Sequence, residues 1–170
     1  FDFNGFYIPF INARKINFIR NWTLFSTGDP FNPNFVATTP MPWSRSSTCC
    51  SADGGNKFDL GTPSAPNWNQ AYFDRVRQRV IDLGNAGVYI SINIGSDAFQ
   101  FDEARYQFNM FKSSNNINGV EADTNGDGWG GEFWMSPSAT ILGYQQAFRT
   151  KLIDTLNDLD NFMWEIGNEM

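Results

Sequence analysis

At 170 residues, with 41% hydrophobic and 16% aromatic content, the chain has enough apolar surface to bury a real core and is close to the size of one ordinary domain. A formal net charge of −6 argues against a nucleic-acid partner, which needs a basic stripe. No apolar run of about 18 residues exists to span a membrane, and no basic-then-apolar start resembles a signal peptide. The chain opens on Phe1 rather than Met, so a processed protein or a fragment is expected.

Apolar periods alternate in type along the chain. Phe3, Phe6, Tyr7, Phe10 and Ile11 recur at helical spacing, and Ile16 to Trp22 reads as a strand. Ala71, Tyr72, Val76, Val80 and Leu83 predict a second amphipathic helix, closed by Gly84 and Gly87 and followed by the β-branched strand Val88 to Ile94. Arg75, Arg77 and Arg79, interleaved with Asp74 and Asp82, read as a solvated face of that helix. Ser136-Pro137 has the form of an N-cap with proline in the first turn, opening a helix whose apolar face is Ile141, Tyr144, Phe148, Leu152 and Leu156. Asp158 to Asn161 then turns into a last strand from Phe162 to Ile166. Helix, strand, helix, strand, helix, strand predicts parallel βαβ units and an α/β fold.

The connections have a direction. Helix-to-strand links are short, whereas the strand-to-helix links, Thr23 to Pro66 and Gly95 to Met135, run to roughly 40 residues against a typical handful. A short apolar piece from Ala104 to Phe111 reads as an extra helix inside the second. Long segments confined to the carboxyl ends of strands suit a (β/α)8 barrel, and an open doubly wound sheet shows the same polarity. Three strands would leave Phe162, Met163 and Trp164 on an open edge. Residues 1–170 are therefore read as the amino-terminal half of a TIM-barrel domain, from helix 1 to strand 4, whose missing carboxyl-terminal half supplies the partner for that edge.

Several residues are candidates for chemistry. Glu169 follows a core strand at the end where such folds place ligands, and burial there would raise its pKa toward that of a general acid. Glu165, inside the strand, reads as a structural residue, whether buried, ion-paired or rim-facing, with a supporting role beside the catalytic acid as the other reading. Trp22, Trp43, Trp129 and Trp134 fall in or beside the long loops, where indoles can stack on the C–H faces of sugar rings or plug the loop core. Asp123-Thr124-Asn125-Gly126-Asp127-Gly128 places oxygen ligands at the first, third and fifth positions of a calcium loop, with the turning glycine sixth. The EF-hand pattern then fails, because its twelfth position is Trp134 and the nearest acid, Glu132, comes early. A structural calcium bound by Asp123, Asn125 and Asp127, and an Asx-turn loop without metal, both remain open. Adjacent Cys49 and Cys50 read as two loop thiols, or as one partner of a bridge elsewhere, because a bond between neighbours is unfavourable.

Trp164-Glu165-Ile166-Gly167-Asn168-Glu169 resembles the fourth-strand Asn-Glu motif of the clan A (β/α)8 glycoside hydrolases, above all the cellulase-like family-five group. Lys57-Phe58-Asp59-Leu60 leading to Trp68-Asn69-Gln70-Ala71-Tyr72-Phe73-Asp74-Arg75, Asn115-Asn116-Ile117-Asn118-Gly119, and Leu156 to Asn161 are similar to bacterial secreted proteins of that group. The resemblance implies a secreted, retaining glycoside hydrolase that needs no cofactor. Glu169 would be the general acid/base, Asn168 a donor to a substrate hydroxyl, and the nucleophile would lie on a seventh strand outside these residues. Arg20 resembles the clan's second-strand arginine, which orients the nucleophile; a structural salt bridge inside the barrel is the other reading. The chain has no His, which many clan members place in the substrate cleft. A non-catalytic carbohydrate- or protein-binding barrel, with or without a stabilising calcium, is the alternative.

Overall fold

The computed structural model describes residues 2–32, 39–94 and 102–166. A π-helical turn, Phe3–Tyr7, capped by Asp2 Oδ1 accepting from the Gly5 N–H at 2.7 Å, runs into α1, Ile8–Ala13. Strand β1, Phe18–Trp22, follows, and the long segment behind it carries two small antiparallel hairpins. These are β2 (Arg45–Cys49) with β3 (Asn56–Phe58), and β4 (Gly61–Thr62) with β5 (Ala65–Pro66). Helix α2, Gln70–Asn85, leads to β6, Tyr89–Asn93. Short helices α3 (Glu103–Tyr106) and α4 (Glu132–Met135) precede the long α5 (Ala139–Leu156), which returns to β7 (Phe162–Glu165).

The protein is thus a mixed α/β fold with a three-stranded parallel sheet in the order β1-β6-β7. Both crossovers step the same way along the sheet. Right-handed connections of that kind leave successive helices on one face, and α2 and α5 accordingly touch each other. Tyr72, Phe73, Val80 and Leu83 of α2, Tyr144, Phe148, Leu152 and Leu156 of α5, and Ile90 and Ile92 of β6 belong to one buried core. Because side chains alternate across a strand, the other face carries Phe18, Tyr89 and Met163, all exposed, together with Arg20, Ser91, Asn93 and Glu165.

The long segments are packed rather than open. Phe25 sits against Trp43, Phe111, Phe133 and Phe148 with ring centroids 5.1–5.8 Å apart. The buried Asn116 amide donates to the carbonyls of Met110, Lys112 and Val120 and accepts from the Val120 N–H, which closes the loop between them. Asn118 Oδ1 accepts from the Leu60 N–H at 2.6 Å, tying the two long segments together.

Four sequence expectations are corrected. Cys49 and Cys50 are bonded to each other across a cis peptide, which brings their Cα atoms to 3.1 Å, so neither is a free loop thiol nor a partner of a more distant bridge. The last helix starts two residues late: Ser138, not Ser136, caps it, its Oγ accepting from the Ile141 N–H at 3.3 Å, so Pro137 precedes the cap. The extra helix is only the turn Glu103–Tyr106, because the chain then bends so that Asn109 bridges Ser26. Arg77 is solvated and pairs with Asp158 at 2.6 Å, but Arg75 and Arg79 turn inward against Tyr72 and Phe3. Among the described residues no helix is long and apolar enough to cross a membrane.

Candidate functional site

The carboxyl ends of the three strands gather polar side chains on the sheet face away from α2 and α5. Register aligns Trp22, Asn93 and Glu165 in one row, with Arg20 and Ser91 one alternation below. Arg20 grips Glu165 with two guanidinium nitrogens, Nε at 2.6 Å from Oε2 and Nη2 on Oε1. Ser91 Oγ donates to Oε2 at 3.1 Å and Asn93 Nδ2 to Oε1 at 3.2 Å. The two strand residues are buried, Ser91 at 6% and Asn93 at 0% exposure. A bidentate guanidinium–carboxylate pair with both oxygens further satisfied is a fixed element of charge. Glu165 is therefore a held carboxylate, ion-paired as one of its structural readings had it, and Arg20 makes the salt bridge that was one of its own two readings.

Sequence reasoning did not single out Ser91 and Asn93. The signal was present: polar residues at alternate positions inside the β-branched run Val88 to Ile94 mark one face of a strand that carries something other than core. Asn168 and Glu169 lie outside the described residues.

The four tryptophans do not form one surface. Trp22 is half-buried with its ring 5.2 Å from the Arg20 guanidinium carbon, on the face that carries the polar cluster. Trp43 is a core residue at 1% exposure, enclosed by Phe25, Trp68, Phe111 and Phe148, and has no face left for a sugar. That corrects its placement in a substrate cleft: the hairpin segment folds inward to cover α5 instead of standing as a rim. Trp134 is half-buried between Phe133 and Arg149, and Trp129 is half-buried beside the acidic loop.

In that loop Asp123 accepts from the N–H groups of Gly126, Asp127 and Gly128 at 2.8–3.2 Å, the wrapping that a D-x-N-x-D-G sequence dictates. Hydrogen bonds from the Trp129 N–H and from Asn125 hold the Asp127 carboxyl below its usual range. Glu132, which falls short of the EF-hand position in sequence, reaches the same point through the turn into α4, and Asp123, Asp127 and Glu132 bring carboxylate oxygens within 4.8 Å of one another. The Asn125 amide nitrogen donates to Asp127 Oδ2 at 3.0 Å and to Glu132 Oε1 at 2.6 Å, while Glu132 Oε2 is buried without a partner.

No protein-family model, curated protein or solved structure matches the chain.

Proposed function

We propose that the chain is part of a retaining (β/α)8 glycoside hydrolase that cleaves O-glycosidic bonds of a poly- or oligosaccharide, with Glu169 as general acid/base. Three parallel strands in chain order with both helices on one face fit that reading, as they fit one half of a doubly wound sheet. The observation that carries it is the polar cluster of Arg20, Asn93 and Glu165 at the carboxyl end of the sheet, from which the sequence runs on through Ile166 to Asn168 and Glu169. In this reading Glu169 protonates the leaving oxygen while a nucleophilic carboxylate about 5–5.5 Å away attacks the anomeric carbon, and Glu169 then deprotonates the water that releases the sugar. Trp22 stacks on a sugar face, and Asn168 donates to a hydroxyl. Arg20, with its charge balanced by Glu165, keeps the floor of the cleft rigid. The nucleophile belongs to sequence outside these residues, in the remaining half of the barrel, and the complete protein acts outside the cytoplasm.

The test is hydrolysis of a panel of oligosaccharides by the protein carrying the whole domain, with the anomer of the first-formed product read by NMR. Retention of configuration is expected, with the 170-residue chain alone inactive. Saturable sugar binding without turnover would replace this reading with the binding-barrel one, and neither binding nor turnover would sink both.

The loop at Asp123 is proposed to hold a stabilising calcium, with Asp123, Asn125, Asp127 and the added carboxylate of Glu132 as oxygen donors. The buried, unpartnered Glu132 Oε2 supports it; Asn125 would rotate its amide to present oxygen where its nitrogen now bridges two carboxylates. Calcium at a hundredfold excess over Kd stabilises by about 2.7 kcal/mol, which at about 2–4 °C per kcal/mol raises Tm by roughly 5–10 °C over chelator. Asp127→Asn should remove most of the increment in a thermal melt. An unchanged Tm in the parent protein leaves the loop as a metal-free Asx turn.

A further inference from the structure

A second site lies beside β1, with Arg20 and Trp22 of the polar cluster at its rim. Between the amino-terminal helical segment, β1 and α2 there is a cavity of about 190 Å³. Residues 72, 75, 76 and 79 of α2 share one helix face by the i, i+3, i+4 rule, and all four line it. The rest of the wall is mostly apolar, including Leu24, Ile90 and Ile92, with Arg20 and Asn21 as its other polar members, and it contains no Asp or Glu among the described residues.

Among the described residues, one polar atom of this wall is buried without a partner and two further groups carry unused donors. Arg75 donates through its terminal nitrogens to the carbonyls of Thr39 and Pro40, the latter at 2.8 Å, and its Nε is buried with no partner. Arg79 lies 4.9 Å over the Phe3 ring and forms no ion pair among the described residues. Tyr72 is 6% exposed, and its hydroxyl makes no hydrogen bond among the described residues. Desolvation depresses the pKa of both guanidinium groups and raises that of the Tyr72 phenol. Arg20, Arg45, Arg77 and Arg105 each meet a carboxylate, whereas Arg149, like Arg75 and Arg79, rests against an aromatic ring, 5.8 Å from that of Trp134. Two half-buried cations one turn apart repel each other, and burying a charge without a counterion is costly.

We propose that this cavity binds a small organic carboxylate, its oxygens accepting from the Tyr72 hydroxyl and the Arg75 and Arg79 guanidinium groups and its apolar body resting on Val76, Leu24 and Ile90. A single negative charge between the two arginines relieves their repulsion, and the forked donors match carboxylate geometry. The apolar wall selects against a fully hydrated inorganic anion, which would leave that surface wet. The site shares Arg20 and Trp22 at its rim with the cleft of the glycosidase reading, but its carboxylate donors stand on α2 and do not depend on that reading.

Isothermal titration of the chain with benzoate and butanoate, and with inorganic phosphate as the comparison, tests it. Saturable binding of at least one carboxylate is expected, weakening as salt rises, with phosphate bound at least tenfold more weakly. Tyr72→Phe keeps the ring and the fold; it should weaken the carboxylate about tenfold while leaving the Tm of the unliganded protein unchanged or slightly raised, because only an unsatisfied hydroxyl is lost. Arg79→Gln should weaken it by more than tenfold. The proposal fails if neither carboxylate binds, if phosphate binds as tightly, or if Tyr72→Phe binds as the parent does.

Discussion

In the protein carrying the whole domain, Glu169→Gln is expected to slow hydrolysis of glycosides with poor leaving groups by about 10²–10⁴-fold, the usual contribution of a positioned general acid. Activated aryl glycosides should lose far less in the bond-breaking step, because a good leaving group departs without a proton. The glutamine keeps the size and the hydrogen-bonding oxygen of the side chain, so folding is not at stake. Comparing kcat/KM for an unactivated disaccharide and a dinitrophenyl glycoside separates the outcomes. Equal loss on both substrates would count against an acid role and move Glu169 to a binding or structural one. Glu165 should not substitute for it, since both of its oxygens are already occupied by hydrogen bonds from Arg20, Ser91 and Asn93.

Trp43→Ala should lower stability by about 3–5 kcal/mol, the range for truncating a large buried aromatic. At about 2–4 °C per kcal/mol, that is a fall in Tm of roughly 6–20 °C, large against the ~5–15 kcal/mol that holds a typical domain together. The reason is position. Trp43 has ring neighbours from four separate segments, Phe25, Trp68, Phe111 and Phe148, so its removal opens a cavity that no single element can collapse to fill. Its Nε1 is buried without a partner, so Trp43→Phe should recover much of the loss. A differential thermal melt checks this. If Tm held while sugar affinity fell, Trp43 would be a subsite after all.

The long elements were legible because their apolar residues carry a period. Helix α2 follows from Tyr72, Val76, Val80 and Leu83, and β6 from the run Val88 to Ile94, since a 3.6-residue or two-residue repeat is set by backbone geometry alone. The cap of α5 was misplaced by two residues because Ser136 and Ser138 offer the same hydroxyl, and only the path of the preceding α4 decides between them. Trp43 was misplaced for a similar reason: an indole in a loop has the same sequence context whether it faces water or a core.

What the sequence determined by itself is therefore local or periodic: an acidic chain, an alternation of helices and strands that gives a three-stranded parallel sheet, and a loop at Asp123 wrapped on its own amides. What tertiary structure decided is every relation between distant residues. It paired Arg20 with Glu165 across 145 positions, brought Glu132 to Asp123 and Asp127, and turned Arg75 and Arg79 inward while leaving Arg77 in water. Side chains of one type differ in free energy only through what surrounds them, and those surroundings are assembled from segments whose meeting no local pattern encodes.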